Sequence, residues 1–399
     1  MSGAGRRIVL IAPNVSRHRG GEAIKAWQYF ALLLDRGADV RLITHARSAD
    51  EVRAAFPADR VLVVPDSGLQ RALWRSRVFA FLLDVVFFAA AARLARRFDP
   101  AGTVLHYLCP ISPVTPRLPP RGYRVVIGPL NGNIHHPPGF AVRAGRKARL
   151  AQAVYRPVQA ALRLTLAPWR RADAILVSGG ARTRAALAWA GADPARMHDV
   201  ADAGVAALAP AGTAADPGRF AASGRMVAYK GFDLALRALA ACPPAVRLDL
   251  YGDGPERARL QALAGALGLR DRAVFHGWTE QADLLDRLRG SAGYVFPSLA
   301  EANGIVMQEA MMLGLPVVAL NWGGPAALAD AASAVLVEPA DEAGTVAALA
   351  AGMTALAAEP ARARALGAAG RTRALAAFTW DAVADDWARH YGETAPGKA

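Results

Sequence analysis

Between Phe296 and Pro325 the chain reads F-P-S-L-A-E-A-N-G-I-V-M-Q-E-A-M-M-L-G-L-P-V-V-A-L-N-W-G-G-P, and few folds accommodate that run. An apolar strand over Gly293 to Phe296 ends in a Pro-Ser turn. A short polar loop leads into a helix near Gly304, which ends at Gly314, and a second apolar strand follows over Pro316 to Leu320. Strand, loop, helix and strand in immediate succession form the unit from which parallel sheets are built. Glu301 falls on the loop and Glu309 about one and a half turns inside the helix. Both can face the crevice outside the carboxyl ends of the strands, where open α/β sheets bind ligands.

The same alternation runs through the first half. A strand over Arg7 to Asn14 is followed by a polar loop ending in Gly20 and Gly21, a helix from about Glu22 to Asp35, and a strand over Asp39 to His45. Further apolar strands cover Val61 to Val64, Thr103 to Leu108, Arg124 to Leu130 and Ala174 to Ser178. This predicts a doubly wound sheet. The Gly20-Gly21 pair lets backbone approach a ligand, and the helix start behind it favours an anion. The spacing is not G-x-G-x-x-G, so a dinucleotide fingerprint is not supported. His106 lies near the carboxyl end of its strand, a position at which a histidine serves chemistry as readily as packing. In the turn-rich loop Gly128 to Pro138, Asn131 and Asn133 can hydrogen-bond hydroxyls. The adjacent His135 and His136 have poor geometry for one metal and read as loop residues.

Charge is placed unevenly. The formal net charge is +14, yet residues 1–200 carry 30 Lys and Arg against 12 Asp and Glu, while residues 201–399 carry 17 against 21. One half therefore faces an anionic surface. From Ala141 to Arg171 there is no acid, and Arg143, Arg146, Lys147, Arg149, Arg156, Arg163, Arg170 and Arg171 alternate with apolar positions such as Leu150, Val154, Val158 and Leu164. That pattern predicts an amphipathic helix on an anionic membrane. Nucleic acid is not expected, because no recognition fold or stacking motif accompanies the charge.

The most apolar run, Val78 to Ala95, is short for a membrane span and carries Asp84, so it is expected to be a buried helix. Cys109 and Cys242 have no metal-ligand spacing and suggest a reducing compartment. No signal-peptide pattern follows Met1. The expected location is cytoplasmic, peripheral on the inner face of the plasma membrane.

The segment Ala195 to Gly218, rich in Ala, Gly, Pro and Asp, reads as a linker between two domains. After it, Arg225 and Lys230 flank a short loop before a helix at Phe232, an arrangement suited to a diphosphate. Strands Arg247 to Gly254 and Ala273 to Trp278 precede the Phe296 stretch, and a last helix runs from about Phe378 to Tyr391.

Four segments in order, G-R-M-V-A-Y-K-G, Y-G-D-G-P-E-R, F-H-G-W and P-S-L-A-E-A-N-G-I-V-M-Q-E-A-M-M-L-G-L-P-V-V-A, resemble the GT4-type retaining glycosyltransferases of the GT-B fold. The likeness is specific from Gly224 to Pro325 and loose before Ala172. It implies an α/β, GT-B chain: two Rossmann-like, doubly wound domains facing a deep interdomain cleft. They would cover residues 1–200 and 201–377, with 378–399 packing back on the first. It also implies a nucleotide-diphosphate sugar donor of UDP or GDP type. Arg225 and Lys230 would grip the diphosphate and act catalytically, Glu309 the ribose hydroxyls and Glu301 the donor sugar. The backbone of Gly304, Ile305 and Val306 would meet phosphate and sugar, and Gly20 and Gly21 would close the donor site.

Two departures mark the sequence: Asn303 stands where the family usually has an aromatic residue, and the usual histidine-aspartate sequence does not follow His106. His106 nonetheless stays in the expected catalytic set, and Asn303 in the donor-binding set. No D-x-D triplet occurs, so neither a metal nor another cofactor is expected. The implied reaction is sugar transfer to an acceptor hydroxyl of a glycan or lipid-linked saccharide. A sugar-nucleotide epimerase, a phosphorylase and a non-catalytic carbohydrate-binding scaffold are the alternatives.

Overall fold

The computed structural model describes residues 6–76, 82–132, 134–165, 172–212 and 216–392. Asn133, residues 78–81 of the apolar run and residues 166–171 of the basic run lie outside them. The chain divides into two compact units, one of Met1–Asn133, Val154–Gly204 and Val383–Ala399, the other of Ile134–Ala153 and Val205–Ala382.

In the first unit seven parallel strands are described: β1 (Arg7–Ile11), β2 (Val40–His45), β3 (Val61–Val64), β4 (Thr103–Tyr107), β5 (Arg124–Leu130), β6 (Ala174–Val177) and β7 (Met197–Asp199). Their order is β3-β2-β1-β4-β5-β6-β7. Val9, Leu10, Leu105 and Ile127 are fully buried, as expected of a parallel sheet covered on both faces. β7 lies inside the segment expected to be linker. It is a three-residue edge strand whose sequence, Met-His-Asp, has no apolar run to announce it. The run expected as a buried helix forms one over Leu82–Ala95 and packs Phe87, Phe88 and Ala91 into the core. No helix among the described residues is long and apolar enough to cross a membrane.

Residues 383–392 also belong to this unit. Trp387 is fully buried, donates from Nε1 to the Ala201 carbonyl at 3.1 Å, and meets the Tyr29 ring edge-on at 4.7 Å. Tyr391 places its hydroxyl 2.7 Å from that of Tyr29.

The second unit holds six described parallel strands, β8 (Arg219–Ser223), β9 (Arg247–Tyr251), β10 (Ala273–Gly277), β11 (Gly293–Phe296), β12 (Val317–Leu320) and β13 (Val335–Val337). Their order is β10-β9-β8-β11-β12-β13. The core under the sheet gathers Phe220, Leu234, Leu236, Val295, Val318 and Leu349. Residues 134–153 belong to this unit although they precede the expected boundary. Arg143 explains why: it pairs with Asp233 and with Glu342, each at 2.8 Å.

The basic segment is helical over Gly145–Thr165, with Pro157 inside. Most of its described side chains are exposed, apolar and basic alike. Leu150, Val154, Val158 and Leu164 are exposed, whereas Gln159 is fully buried and donates to the Tyr155 hydroxyl at 2.9 Å.

Candidate active site

In the second unit strand order reverses between β8 and β11. The connections leaving these neighbours run to opposite sides, and a crevice opens between the loops that follow them. The loop after β8 carries Arg225 and Lys230, and the loop after β11 carries Glu301 and Asn303. The two loops are fastened together, since the Leu299 amide donates to the Tyr229 carbonyl at 2.8 Å. Gly231, at φ +70°, makes the approach possible: a Cβ there would stand 2.1 Å from the Pro297 carbonyl oxygen.

Pressed together in this way, the loops bring the Lys230 ammonium onto the Glu301 carboxylate. Both side chains are mostly buried, at 17% and 18% exposure, and the ammonium also lies 5.6 Å from the Phe296 ring centre. The expected phosphate-gripping lysine and sugar-binding glutamate are thus partners. Arg225 is different. It is exposed, and among the described residues its side chain has no ion partner.

The helix Ile305–Met312 begins directly after Gly304, whose φ of +92° places it in the left-handed region. The Gly304 carbonyl accepts from the Met307 and Gln308 amides, while the amides of Ile305 and Val306 find no acceptor among the described residues. Two unbonded N–H groups at a helix start form a site for an anion. Glu309, one turn further, is 5% exposed and accepts from Gln281 Nε2 at 2.6 Å. Burial raises its pKa above the ordinary carboxylate value, and the Gln281 hydrogen bond opposes that shift. Asn303 is buried, and its Oδ1 accepts from Gln308 Nε2 at 3.1 Å.

A cavity of about 380 Å³ opens beside Arg225, walled by Tyr251, Trp278, Thr279, Leu284 and Val306. Trp278 is 73% exposed there, an apolar surface at the end of β10. Neither Trp278 nor Gln281 was singled out from sequence. Trp278 was legible in principle, because it closes the F-H-G-W segment. Gln281 reaches Glu309 from 28 residues earlier in the chain, a relation no local pattern encodes.

The first unit holds the other expected residues. Gly20 has φ +69° and caps the helix Gly21–Asp35, and space is open in front of both glycines. Glu22 provides negative charge at this helix start, so the end expected to attract an anion already carries one. His106 corrects the sequence expectation. It is fully buried, with Nδ1 2.6 Å from the Tyr391 hydroxyl and Nε2 2.7 Å from the Gly128 carbonyl oxygen. Burial pulls its pKa down to about 4. With both ring nitrogens engaged and no exposed surface, His106 is a structural residue of the sheet and not a catalytic one.

Residues 209–373 match the family model for "Glycosyl transferases group 1". Over 163 residues the chain is 34% identical to the lipopolysaccharide core biosynthesis glycosyltransferase LpsD of Rhizobium meliloti, covering 41% of this chain and 46% of that protein. It is 35% identical over 184 residues to a D-inositol 3-phosphate glycosyltransferase of Mycobacterium tuberculosis, covering 42% and 38%. The match thus spans less than half the length of these relatives. Among solved structures, the sucrose-phosphate synthase of Thermosynechococcus elongatus superposes with TM-score 0.67 at 21% identity, covering 97% of this chain and 98% of that one. Anabaena HepE in complex with UDP and glucose superposes with TM-score 0.63 at 17% identity, covering 96% and 98%. The match to the family falls on the half that holds the Lys230–Glu301 crevice, and the fold likeness extends over both. The chain has the GT-B fold, and its residues 209–373 are similar to the group 1 glycosyltransferases.

Proposed function

We propose that the protein is a retaining glycosyltransferase that moves a sugar from a UDP- or GDP-type donor to a hydroxyl of a glycan or lipid-linked acceptor. The observation that carries this reading is the Lys230–Glu301 pair between the loops after β8 and β11, together with Arg225 and Val306 on the wall of one cavity and the unbonded amides of Ile305 and Val306. In the reaction the bond from the anomeric carbon to the diphosphate oxygen breaks, and its electron pair leaves with the phosphate. The two cations and the helix-start amides meet that growing charge. The acceptor oxygen bonds to the same face of the anomeric carbon, and its proton passes to the departing phosphate oxygen. Glu301 is already paired with Lys230, and Glu309 with Gln281. In this reading neither acts as the nucleophile of a double displacement. The reading assigns the leaving-group charge to the protein's own cations and amides and not to a metal.

Glu309 is suited to the ribose hydroxyls, Glu301 to the sugar, and Trp278 to the flat face of the base. A UDP-type donor is in keeping with HepE, which was crystallised with UDP and glucose. The acceptor class is in keeping with the names of the two relatives. The test is a panel of UDP- and GDP-sugars followed by thermal shift and by anomeric analysis of the product. An inverted anomer removes the retaining mechanism. Free sugar or sugar phosphate as the only product favours an epimerase or phosphorylase, and a flat response to every nucleotide favours a scaffold.

The second partner in this reading is an anionic membrane at the inner face of the plasma membrane. Its support is the exposed row Leu150, Val154 and Val158, with Leu164 beyond, on a segment without a single acid. Arg143 is withdrawn from the expected membrane-facing cations, being spent on Asp233 and Glu342. Flotation with anionic liposomes checks this. Binding is expected at low salt, weaker at high salt and weaker in a Val154→Glu, Val158→Glu variant, and no flotation at low salt removes the partner.

A further inference from the structure

We propose that the second unit carries a separate binding site for a small anionic amphiphile, a carboxylate with an apolar tail, at the end of its sheet opposite the crevice. A cavity of about 250 Å³ opens there. Among its lining residues Pro217 stands two residues before β8, Ala292 directly before β11 and Pro316 directly before β12. The cavity therefore lies where these strands begin, whereas the crevice opens beyond the ends at which they finish. The inference goes beyond the glycosyltransferase reading and does not rest on it.

The walls are mostly apolar, with Leu313, Leu315, Leu356 and Ala363 all buried. Backbone groups around them are already used. The Leu313 carbonyl accepts from the Ala211 amide at 2.7 Å, and the Pro316 carbonyl from the Tyr294 amide at 2.9 Å. The polar side chains of the lining are Ser291, Arg364 and Arg371. Ser291 is 3% exposed, and its hydroxyl has no hydrogen-bond partner among the described residues. Arg364, on the helix Pro360–Ala377, is exposed and has no ion partner among them. Arg371 donates from Nη1 to the Met312 carbonyl, a contact that leaves its charge uncompensated. All three side chains can donate, and among the described residues no Asp or Glu lines the cavity. A ligand that accepts from the buried Ser291 hydroxyl relieves the cost of leaving it unpaired. Two guanidinium groups without an acid select a planar anion, and the leucines select a hydrocarbon chain. Size sets the length of that chain. At about 30 Å³ for each water-sized group, the cavity holds roughly eight heavy atoms, a tail of about seven carbons with its carboxylate at the arginines.

The probe is octanoate, titrated calorimetrically into the full chain, with acetate and 1-octanol supplying its head and its tail separately. Octanoate should bind with a Kd below about 1 mM and roughly ten-fold tighter than either fragment. Arg364→Ala removes an exposed charge that supports nothing else in the fold. It should weaken octanoate roughly ten-fold and leave 1-octanol unchanged. Ala368→Leu narrows the cavity from an exposed helix position and should weaken both. Excess UDP should not alter octanoate binding. Failure of the wild type to bind octanoate overturns the site, as does 1-octanol binding as tightly as octanoate, or octanoate affinity unchanged in either variant. Competition by UDP overturns it too, because octanoate would then sit in the donor crevice. Absence of UDP binding counts against the glycosyltransferase reading alone.

Discussion

The ammonium of Lys230 and the carboxylate of Glu301 are paired across the crevice at which the second sheet reverses its strand order. Their two loops are joined by the Leu299–Tyr229 hydrogen bond, so the pair is held by backbone and not by chance rotamers. In the proposed reaction a donor diphosphate would meet one exposed cation, Arg225, and one already shared. Lys230 is therefore positioned before the substrate arrives, which is the condition under which a fixed charge contributes most to a transition state.

Lys230→Ala is expected to raise the transfer barrier by about 2–4 kcal/mol, the usual cost of removing one group that stabilises developing charge. It also leaves Glu301 without its partner, so Lys230→Ala, Glu301→Gln should recover stability but not rate. Steady-state kcat/KM with the best nucleotide sugar checks both, and near-wild-type turnover of the single variant would falsify the leaving-group role.

Glu309→Gln tests the nucleotide end. Replacing a buried carboxylate proposed to accept hydrogen bonds from the ribose hydroxyls should weaken UDP binding by about 1.5–3 kcal/mol. Calorimetric titration reads this directly, and unchanged affinity places the ribose elsewhere.

Gly231→Ala strikes the contact that joins the two loops. Its φ of +70° and the 2.1 Å approach to the Pro297 carbonyl oxygen leave no room for a methyl group. A loss of about 1–3 kcal/mol or more is expected from backbone strain alone. Urea unfolding measures it, and an unshifted midpoint would show that the loops separate freely.

His106 gives the protein an acid limit. Its ordinary pKa is 6.5 and burial lowers it to about 4, so the unfolded chain takes up the proton first as pH falls. Stability is complete above about 6.5 and is lost as pH descends toward 4, by about 3 kcal/mol from this residue. The groups facing the ring are the Tyr391 hydroxyl, the Gly128 carbonyl, the edges of Tyr29 and Trp387, and the charge of Lys25. His106→Gln should flatten the decline in unfolding midpoint between pH 6.5 and 4.5, and an equally steep decline in that variant would assign it to other groups.

The sheets were largely legible because parallel strands buried on both faces appear as short unbroken apolar runs, as at Val9–Ile11 and Val317–Leu320. β7 was not, since Met197 alone of its three residues is buried. The glutamate and cation motifs pointed to one crevice, but the pairing of Lys230 with Glu301 depends on β8 lying beside β11, a neighbour relation that no local pattern encodes. His106 was misjudged for a related reason. Its position on the strand could be read locally, whereas the Tyr391 hydroxyl that covers it comes from the far end of the chain.

That last contact has a consequence for how the protein is made. Most of the chain has been synthesised before Trp387 and Tyr391 exist, yet these residues cover Tyr29 on the helix Gly21–Asp35 and His106 on β4. The residues of the second unit, ending at Ala382, are all synthesised first. The first unit is thus finished only after the second, and until Trp387 and Tyr391 are made its core has an open seam. Chains truncated after Ala377 should show protease cleavage within residues 6–132 while residues 216–377 stay protected, and equal protection of both would show that the seam closes without its last strip.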